Sequence, residues 1–510
     1  MKKFAAYLAA GTLAAALWST AACASRKDDT LVVAITAPIL NVDRLYTTAR
    51  QELILAQLTD DGLFDVDPDT LRYVPLVAKS YKFVDDTTLD VTLRKGVKFH
   101  DGSPLTADDV VYTYRWTSDP KSGTNQGRKI HRWLKSVERL ADDKLRFKLN
   151  FPYPLVLRDM AISVPLRKRG TYASAEAAKT QNSALNGLGP YRVIEFDPGK
   201  KVVLERFAEY YKGGPKGSPS IRHIEFRTIP DLQTQQAELM TGGVQFMYGV
   251  PLDIARNIGA TPAARFVSGS DMRVDFIIMD AKGYTGKDDP FVKLDVRRAM
   301  NYAINRKSIV DNLVGGSSRV IDAACNPLMF GCVQDVMRYG YDPQKAKALL
   351  AQAGYPDGFQ FDFWVYREKP VAEAIMSDLA KVGIKAKMRV VTSGALAKAR
   401  RSREVQAYFG SWGSGGTADA AAIASEHFAP KSNRNLSGDA EVDDAVIDAE
   451  QTMNDAKRMA DYTKAFKRIA EMAYWVPLYT TSANYLVARD LSFAPPKDGL
   501  PRLYLLKWKR

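Results

Sequence analysis

Four histidines are available for acid–base or metal chemistry: His100, His131, His223 and His427. They lie far apart, and none has a partner at metal-ligand or catalytic spacing. Serines are plentiful, but no G-x-S-x-G elbow presents one as a nucleophile. Gly413, Gly415 and Gly416 suggest a phosphate loop, yet no Gly-Lys-Ser/Thr follows them. The carboxylate pairs Asp60-Asp61, Asp85-Asp86 and Asp108-Asp109 fall at turns and helix starts, where capping accounts for them better than catalysis. Tyr408, Phe409 and Trp412 bring flat apolar rings to the Gly-rich segment. Such rings either sandwich a ligand or fill a strand core. These residues favour binding over bond-making: no enzyme, no cofactor and no metal are expected.

The envelope of the chain points outside the cytoplasm. Lys2 and Lys3 precede an uncharged Ala- and Leu-rich run from Phe4 to Ala22, the layout of a signal peptide over 1–24. Two processing outcomes are open. Ala22-Cys23-Ala24 fits an A-x-A cleavage site, and Thr20-Ala21-Ala22-Cys23 resembles a lipobox that would make Cys23 a lipidated first residue. Cys325 and Cys332 then remain as a short-spaced pair in an oxidising compartment, where a disulfide is expected. The net charge of +14 falls to +12 without Lys2 and Lys3. The charges are scattered, so nucleic acid is not the expected partner. The densest cluster, Lys398, Arg400, Arg401 and Arg403, reads as a solvated helix face or as a field favouring anions.

The elements that must position these residues alternate between two periods. Leu89, Val91 and Leu93 alternate with polar residues as in a half-buried strand. Asp101-Gly102 is a turn, and Thr106 with Asp109 forms a capping pair at a helix start. A short strand is expected over Leu31–Ile35 and a helix over Leu53–Leu58. Tyr191 to Phe207 reads as a hairpin about Asp197-Pro198-Gly199. Helices are expected over Asp231–Met240, Pro343–Ala353, Val371–Val382 and Ala460–Tyr474, and Val292–Leu313 reads as one long amphipathic stretch. A chain of 510 residues needs two or three domains. Strands alternating with helices in both halves imply an α/β protein with mixed sheets.

Several blocks in order resemble the extracellular solute-binding proteins of family 5, which serve ABC importers. They are Thr87–Arg115, Gly187–Tyr191 with Val202–Arg206, Tyr210–Gly214, Ile229–Asp231 with Gly242-Gly243, Asp295–Arg306 and Tyr341–Tyr355. The resemblance implies a two-lobed periplasmic binding protein fold with an extra inserted subdomain. Lobe I would comprise 25–50, 183–272 and 482–510. The subdomain would span 51–182 and lobe II 273–481. Peptides or a related carboxylated solute would bind between the lobes, and the closed form would dock on a membrane permease as a monomer. Opines, blocked peptides, oligosaccharides and metal chelates are the alternative cargoes, and signalling or chaperoning the alternative use.

By motif, Arg367 stands where family members grip a peptide carboxylate; its plainer role is a surface arginine paired with Glu368. The family's amine-binding aspartate falls at Gly415, which cannot neutralise an ammonium. Asp419 either substitutes for it or caps a helix. Trp412 and Tyr408 flank that loop. Arg44 and Tyr46 lie where the family's first loop faces the cleft, and Arg273 lies at the crossover between lobes.

Overall fold

The computed structural model describes residues 28–180 and 186–509. The expected signal peptide and Cys23 lie outside the described residues. No helix among the described residues is long and apolar enough to cross a membrane.

One eleven-stranded mixed sheet runs through the molecule. From one edge its order is Lys385–Val390, Gln360–Val365, Ala407–Gly413, Ala264–Met279, Trp475–Ala488, Phe246–Tyr248, Thr30–Ile35, His223–Thr228, Lys201–Arg206 and Tyr191–Asp197, with Arg319–Val320 paired on Trp475–Ala488. Parallel pairs (Gln360–Val365 with its two neighbours, Thr30–Ile35 with its two) flank a long antiparallel middle, and the edge strands Lys201–Arg206 and Tyr191–Asp197 continue antiparallel beyond His223–Thr228. Strands inside such a sheet are covered on both faces, which is why Val274 to Met279 is almost continuously apolar. One end packs Leu31, Val33, Phe226 and Tyr485 into a core. The other packs Ile277, Met279, Phe363 and Phe409 against the helices Leu294–Ala303 and Lys369–Ala380.

A separate four-stranded antiparallel sheet, in the order Ala78–Asp85, Thr88–Leu93, Lys144–Leu149, Leu134–Ala141, forms the inserted unit. Leu89, Val91 and Leu93 are buried, and the polar residues between them are half-buried. Thr106 caps the helix Ala107–Ser118: Asp109 N donates to its Oγ1 at 3.3 Å, and Thr106 N donates to the Asp109 carboxylate at 2.7 Å. The shorter Asp thus completes the box that Glu usually closes.

Two expectations are corrected. The stretch Val292–Leu313 is not one helix. Leu294–Ala303 ends at Ile304, and Asn305 starts a new turn by accepting from Ser308 N at 3.0 Å while its own N–H donates to Asp378 at 2.9 Å. The basic cluster is not uniformly solvated either. On the helix Ser393–Arg401, Arg400 is buried with its guanidinium 5.3 Å from the Tyr408 ring, because it falls on the apolar side with Leu396 and Ala399.

Candidate ligand-binding site

Two long strands pair along the middle of the large sheet. Ala264–Met279 pairs with Trp475–Ala488 from Ala264↔Ala488 to Ser270↔Ser482, slips, and resumes at Val274↔Thr480. The slip is a β-bulge, which bends the strand and sharpens its twist. Met272 sits in it at φ +53° and is fully buried. Asp271 stitches the bulge, accepting from Arg273 N at 3.0 Å and from Thr481 Oγ1 at 2.6 Å.

Just beyond the bulge, Arg273 and Asp275 share one face of the strand because side chains alternate. Arg273 Nη1 lies 3.2 Å from Ser411 Oγ on the neighbouring strand. Opposite it lies Gly413, whose missing Cβ would stand 2.8 Å from Arg273 Nη2, so a larger residue there would push the guanidinium aside. Burial lowers the Arg273 pKa, and Arg367 adds repulsion. Asp275 is 1% exposed, and burial raises its pKa to about 6 against the pull of Arg367. Arg367 lies in the turn between Gln360–Val365 and Lys369–Ala380. Its Nη2 donates to Glu368 at 3.1 Å, so the pairing with Glu368 is present. Its Nε is buried without a hydrogen-bond partner among the described residues.

The strand Ala407–Gly413 links this pivot to the Gly-rich loop. Gly415 and Gly416 take φ of +59° and +85°, which glycine adopts without strain. Space around Gly415 is open. Asp419 is buried and committed: it accepts from Arg458 at 2.7 Å, from Tyr462 at 3.3 Å and from the backbone N–H of Ala421, the first residue of Ala421–Phe428, at 3.0 Å. The loop is braced from behind. Cys325 and Cys332 are disulfide-bonded. Phe330 within their loop donates to Ala418 O and accepts from Ala420 N, at 2.9 and 2.8 Å, and Asn326 reaches Arg273 O at 3.4 Å.

Trp412 separates two cavities. A cavity of about 790 Å³ has Lys129, Arg132 and Arg158 on one side and Trp412, Ser425 and Glu450 on the other. A chamber of about 170 Å³ lies behind Trp412, lined by Tyr366, Arg400, Tyr408, Ser411, His427 and Arg434. Tyr408 is only 1% exposed and packs its ring in the core, so it presents little surface to either space. The His427 pKa is far below its usual value, first through burial and then through Arg434 and Arg400, so the ring is neutral. Trp412 is held by its indole N–H on Ala422 O at 2.6 Å and by Arg434 over its face at 4.7 Å.

Arg44 and Tyr46 are not brought to the pivot. Arg44 is buried, donates to Thr47 O at 2.5 Å and lines a small cavity with Gly415 and Gly416. Tyr46 packs edge-on to Tyr172, accepts from Trp116 at 2.9 Å and donates to Ser122 O at 3.3 Å. Asp275 and the Arg158–Thr417 contact are absent from the sequence-based expectations, which hold Arg400 only as part of a basic cluster and His427 only as an isolated histidine. A lone charge inside an apolar run marks Asp275; the others depend on which helix face turns inward, a tertiary fact.

A bulged two-strand crossover with a lined seam defines a two-lobed solute-binding protein. The chain matches the family of bacterial extracellular solute-binding proteins, family 5 (middle), over residues 72–435, and it belongs to that family. It is a solute-binding receptor of an ABC import system. Among curated relatives it is 27% identical to heme-binding protein A of Haemophilus influenzae, covering 82% of this chain and 80% of that one. It is 26% identical to the glutathione-binding protein GsiB of Salmonella typhimurium, covering 92% of each. The fold is that of the substrate-binding protein CtaP of Listeria monocytogenes, with TM-score 0.83, 21% identity and coverage of 94% and 99%. It is also that of the oligopeptide-binding protein AppA of Bacillus subtilis in complex with a nonapeptide, with TM-score 0.74, 24% identity and coverage of 94% and 99%.

Proposed function

We propose that this receptor captures a peptide or related carboxylated solute between its lobes, with Arg367 as the carboxylate grip, and passes it on without making or breaking bonds. The observation that carries this reading is Arg367 itself: a guanidinium at the pivot with a buried, unpartnered Nε–H. A guanidinium matches a carboxylate bidentately, which suits that vacancy. Trp412 offers a ring face to the same cargo from the seam side. Relatives named for glutathione and for an oligopeptide support a carboxylated, peptide-like cargo; the relative named for heme widens the range.

The division into lobe I (25–50, 183–272, 482–510), subdomain (51–182) and lobe II (273–481) is supported by the register slip between Ser270/Ser482 and Val274/Thr480. Ligand would bias an open–closed equilibrium about that slip, and the closed monomer would dock on an inner-membrane permease. Export to the periplasm, with or without an anchor at Cys23, follows from the N-terminal run. Native mass spectrometry of the purified protein tests the reading. A co-purified carboxylate-bearing solute that is lost from Arg367→Ala is expected; a retained cargo in that variant removes Arg367 from the site.

A further inference from the structure

The chamber of about 170 Å³ behind Trp412 has charges that do not balance. Two guanidiniums, Arg400 and Arg434, line it, and no acidic residue does among the described residues. Arg434 is neutralised from outside. Its Nη1 donates to Glu426 at 2.6 Å, and Glu426 lines the larger cavity on the other side of Trp412. Arg400 has no such relief. It is 8% exposed, its Nη1 meets the Tyr408 hydroxyl at 3.4 Å, and its Nε has no hydrogen-bond partner among the described residues. A guanidinium stays ionised at any physiological pH, so a positive charge is buried here beside a phenol instead of a carboxylate. Such a charge is costly until an anion joins it.

His427 lines the same space. It is 2% exposed, and neither ring nitrogen has a hydrogen-bond partner among the described residues. Burial first, then Arg434 and Arg400, keep the ring neutral, which leaves one N–H to donate. Phe276, Trp412 and Trp475 pack edge-on around it, with ring centroids 5.3, 5.2 and 4.9 Å away. They fix the ring but bring no oxygen to it. The chamber is reachable past the helix Ser393–Arg401, where Ser393 is exposed and Ala397 half-buried on its wall. Its volume is room for several waters, and so for a compact oxyanion.

We propose that this chamber is an anion site, in which Arg400 and the His427 N–H, with Arg434 beside them, bind a compact oxyanion of the sulfate, phosphate or carboxylate class. The anion is a free ion or the acidic end of a cargo seated against Trp412. Arg367 does not line the chamber, so the site stands whether or not Arg367 grips a cargo.

Titration calorimetry of the full chain with sodium sulfate, at an ionic strength held constant with chloride, is expected to show one site. Arg400→Met keeps an apolar stem and removes the charge. It is expected to bind sulfate at least about tenfold more weakly, and to melt at or above the parent in sulfate-free buffer because a buried unpaired charge is gone. His427→Phe keeps the aromatic packing and weakens sulfate several-fold, whereas Arg367→Ala leaves it unchanged. The dipeptides Ala-Ala and Ala-Glu separate the two sources. A preference of about tenfold for Ala-Glu, abolished by Arg400→Met and competed away by sulfate, marks an acidic group carried by the cargo. Sulfate binding that persists beside Ala-Ala, with no preference for Ala-Glu, marks a free ion. Absence of sulfate binding together with no preference for Ala-Glu would overturn the proposal. So would sulfate binding that survives Arg400→Met, or that is lost in Arg367→Ala. If Ala-Ala depends on Arg367 while the sulfate and Ala-Glu results fail, the receptor reading stands and this inference alone falls.

Discussion

Arg158 of the inserted unit reaches across the seam to Thr417 of the Gly-rich loop, with Nε 2.6 Å from Oγ1. Arg158 is also paired with the buried Asp159, so its position is fixed on one side before it meets the other lobe. The nearby Arg132–Glu450 contact is longer, at 3.5 Å, and its arginine is exposed. Hydrogen bonds to a charged donor contribute about 1.5–3 kcal/mol, exposed ion pairs less than about 1. Thr417→Val is therefore expected to favour the open form and weaken cargo binding by roughly tenfold, with Arg132→Ala near neutral. Small-angle scattering with and without cargo, beside an affinity measurement, checks both.

Arg367→Ala should weaken an anionic cargo by several kcal/mol, since a partly buried charged partner is lost with the grip. Arg367→Lys should recover only part of it, because an ammonium lacks the planar fork. Calorimetry on the cargo identified by mass spectrometry reads the difference; equal affinity in all three proteins would contradict it.

Asp275 gives stability a pH dependence of defined sign. Its folded pKa of about 6 lies above its ordinary value of 3.8, so the folded chain holds that proton more tightly. The stabilisation is complete below about pH 4 and is lost as pH rises through about 6. The size is on the order of 3 kcal/mol. Asp275→Asn should therefore gain stability relative to the parent between pH 4 and 7, read as diverging denaturant midpoints. Parallel curves over that range would refute it.

The resemblance to family 5 implies that an amine-binding carboxylate would stand at Gly415. Its surroundings are open, so a longer side chain fits, and aspartate tolerates a left-handed backbone better than most residues. Gly415→Asp should cost about 1 kcal/mol of stability and improve binding of free-amine dipeptides relative to their N-acetyl forms. A competition assay with the two forms measures the ratio; no change would show that the loop points away from the ligand.

Replacing Cys325 and Cys332 by serine should lower stability by roughly 2–3 kcal/mol, the value expected for closing a short loop. Because Phe330 is bonded to both Ala418 and Ala420, cargo affinity should fall as well, through a looser Gly-rich loop. Denaturant midpoints and calorimetry of the double variant give the two numbers.

Local signals made much of this fold legible. Asp342, Pro343 and Gly354 bracket the helix Pro343–Gln352, and Asp197 to Gly199 turn the hairpin, because caps and turns depend on a few neighbouring residues. The helix expected over Ala460–Tyr474 begins earlier, at Asp455, where Asn454 caps it by accepting from Lys457 N. What local pattern could not supply was the pairing of distant strands. The Arg273–Ser411 contact and the burial of Arg400 depend on register between segments more than a hundred residues apart or on a face chosen by packing. Arg44 and Tyr46 followed the sequence into the expected loop, but hydrogen bonds within lobe I and the inserted unit hold their side chains.

Met272 shows how the pieces are mechanically joined. Its side chain does not follow the sheet; it packs with Val66 and Leu71 of the inserted unit and with Leu328 and Ala418 on the far lobe. The residue that absorbs the backbone kink is thus also a bearing between three bodies, and a thioether is pliable enough to serve as one. A turn about that crease would move the Gly-rich loop against the inserted unit, so the shape of the mouth and the grip on the cargo would change in a single stroke.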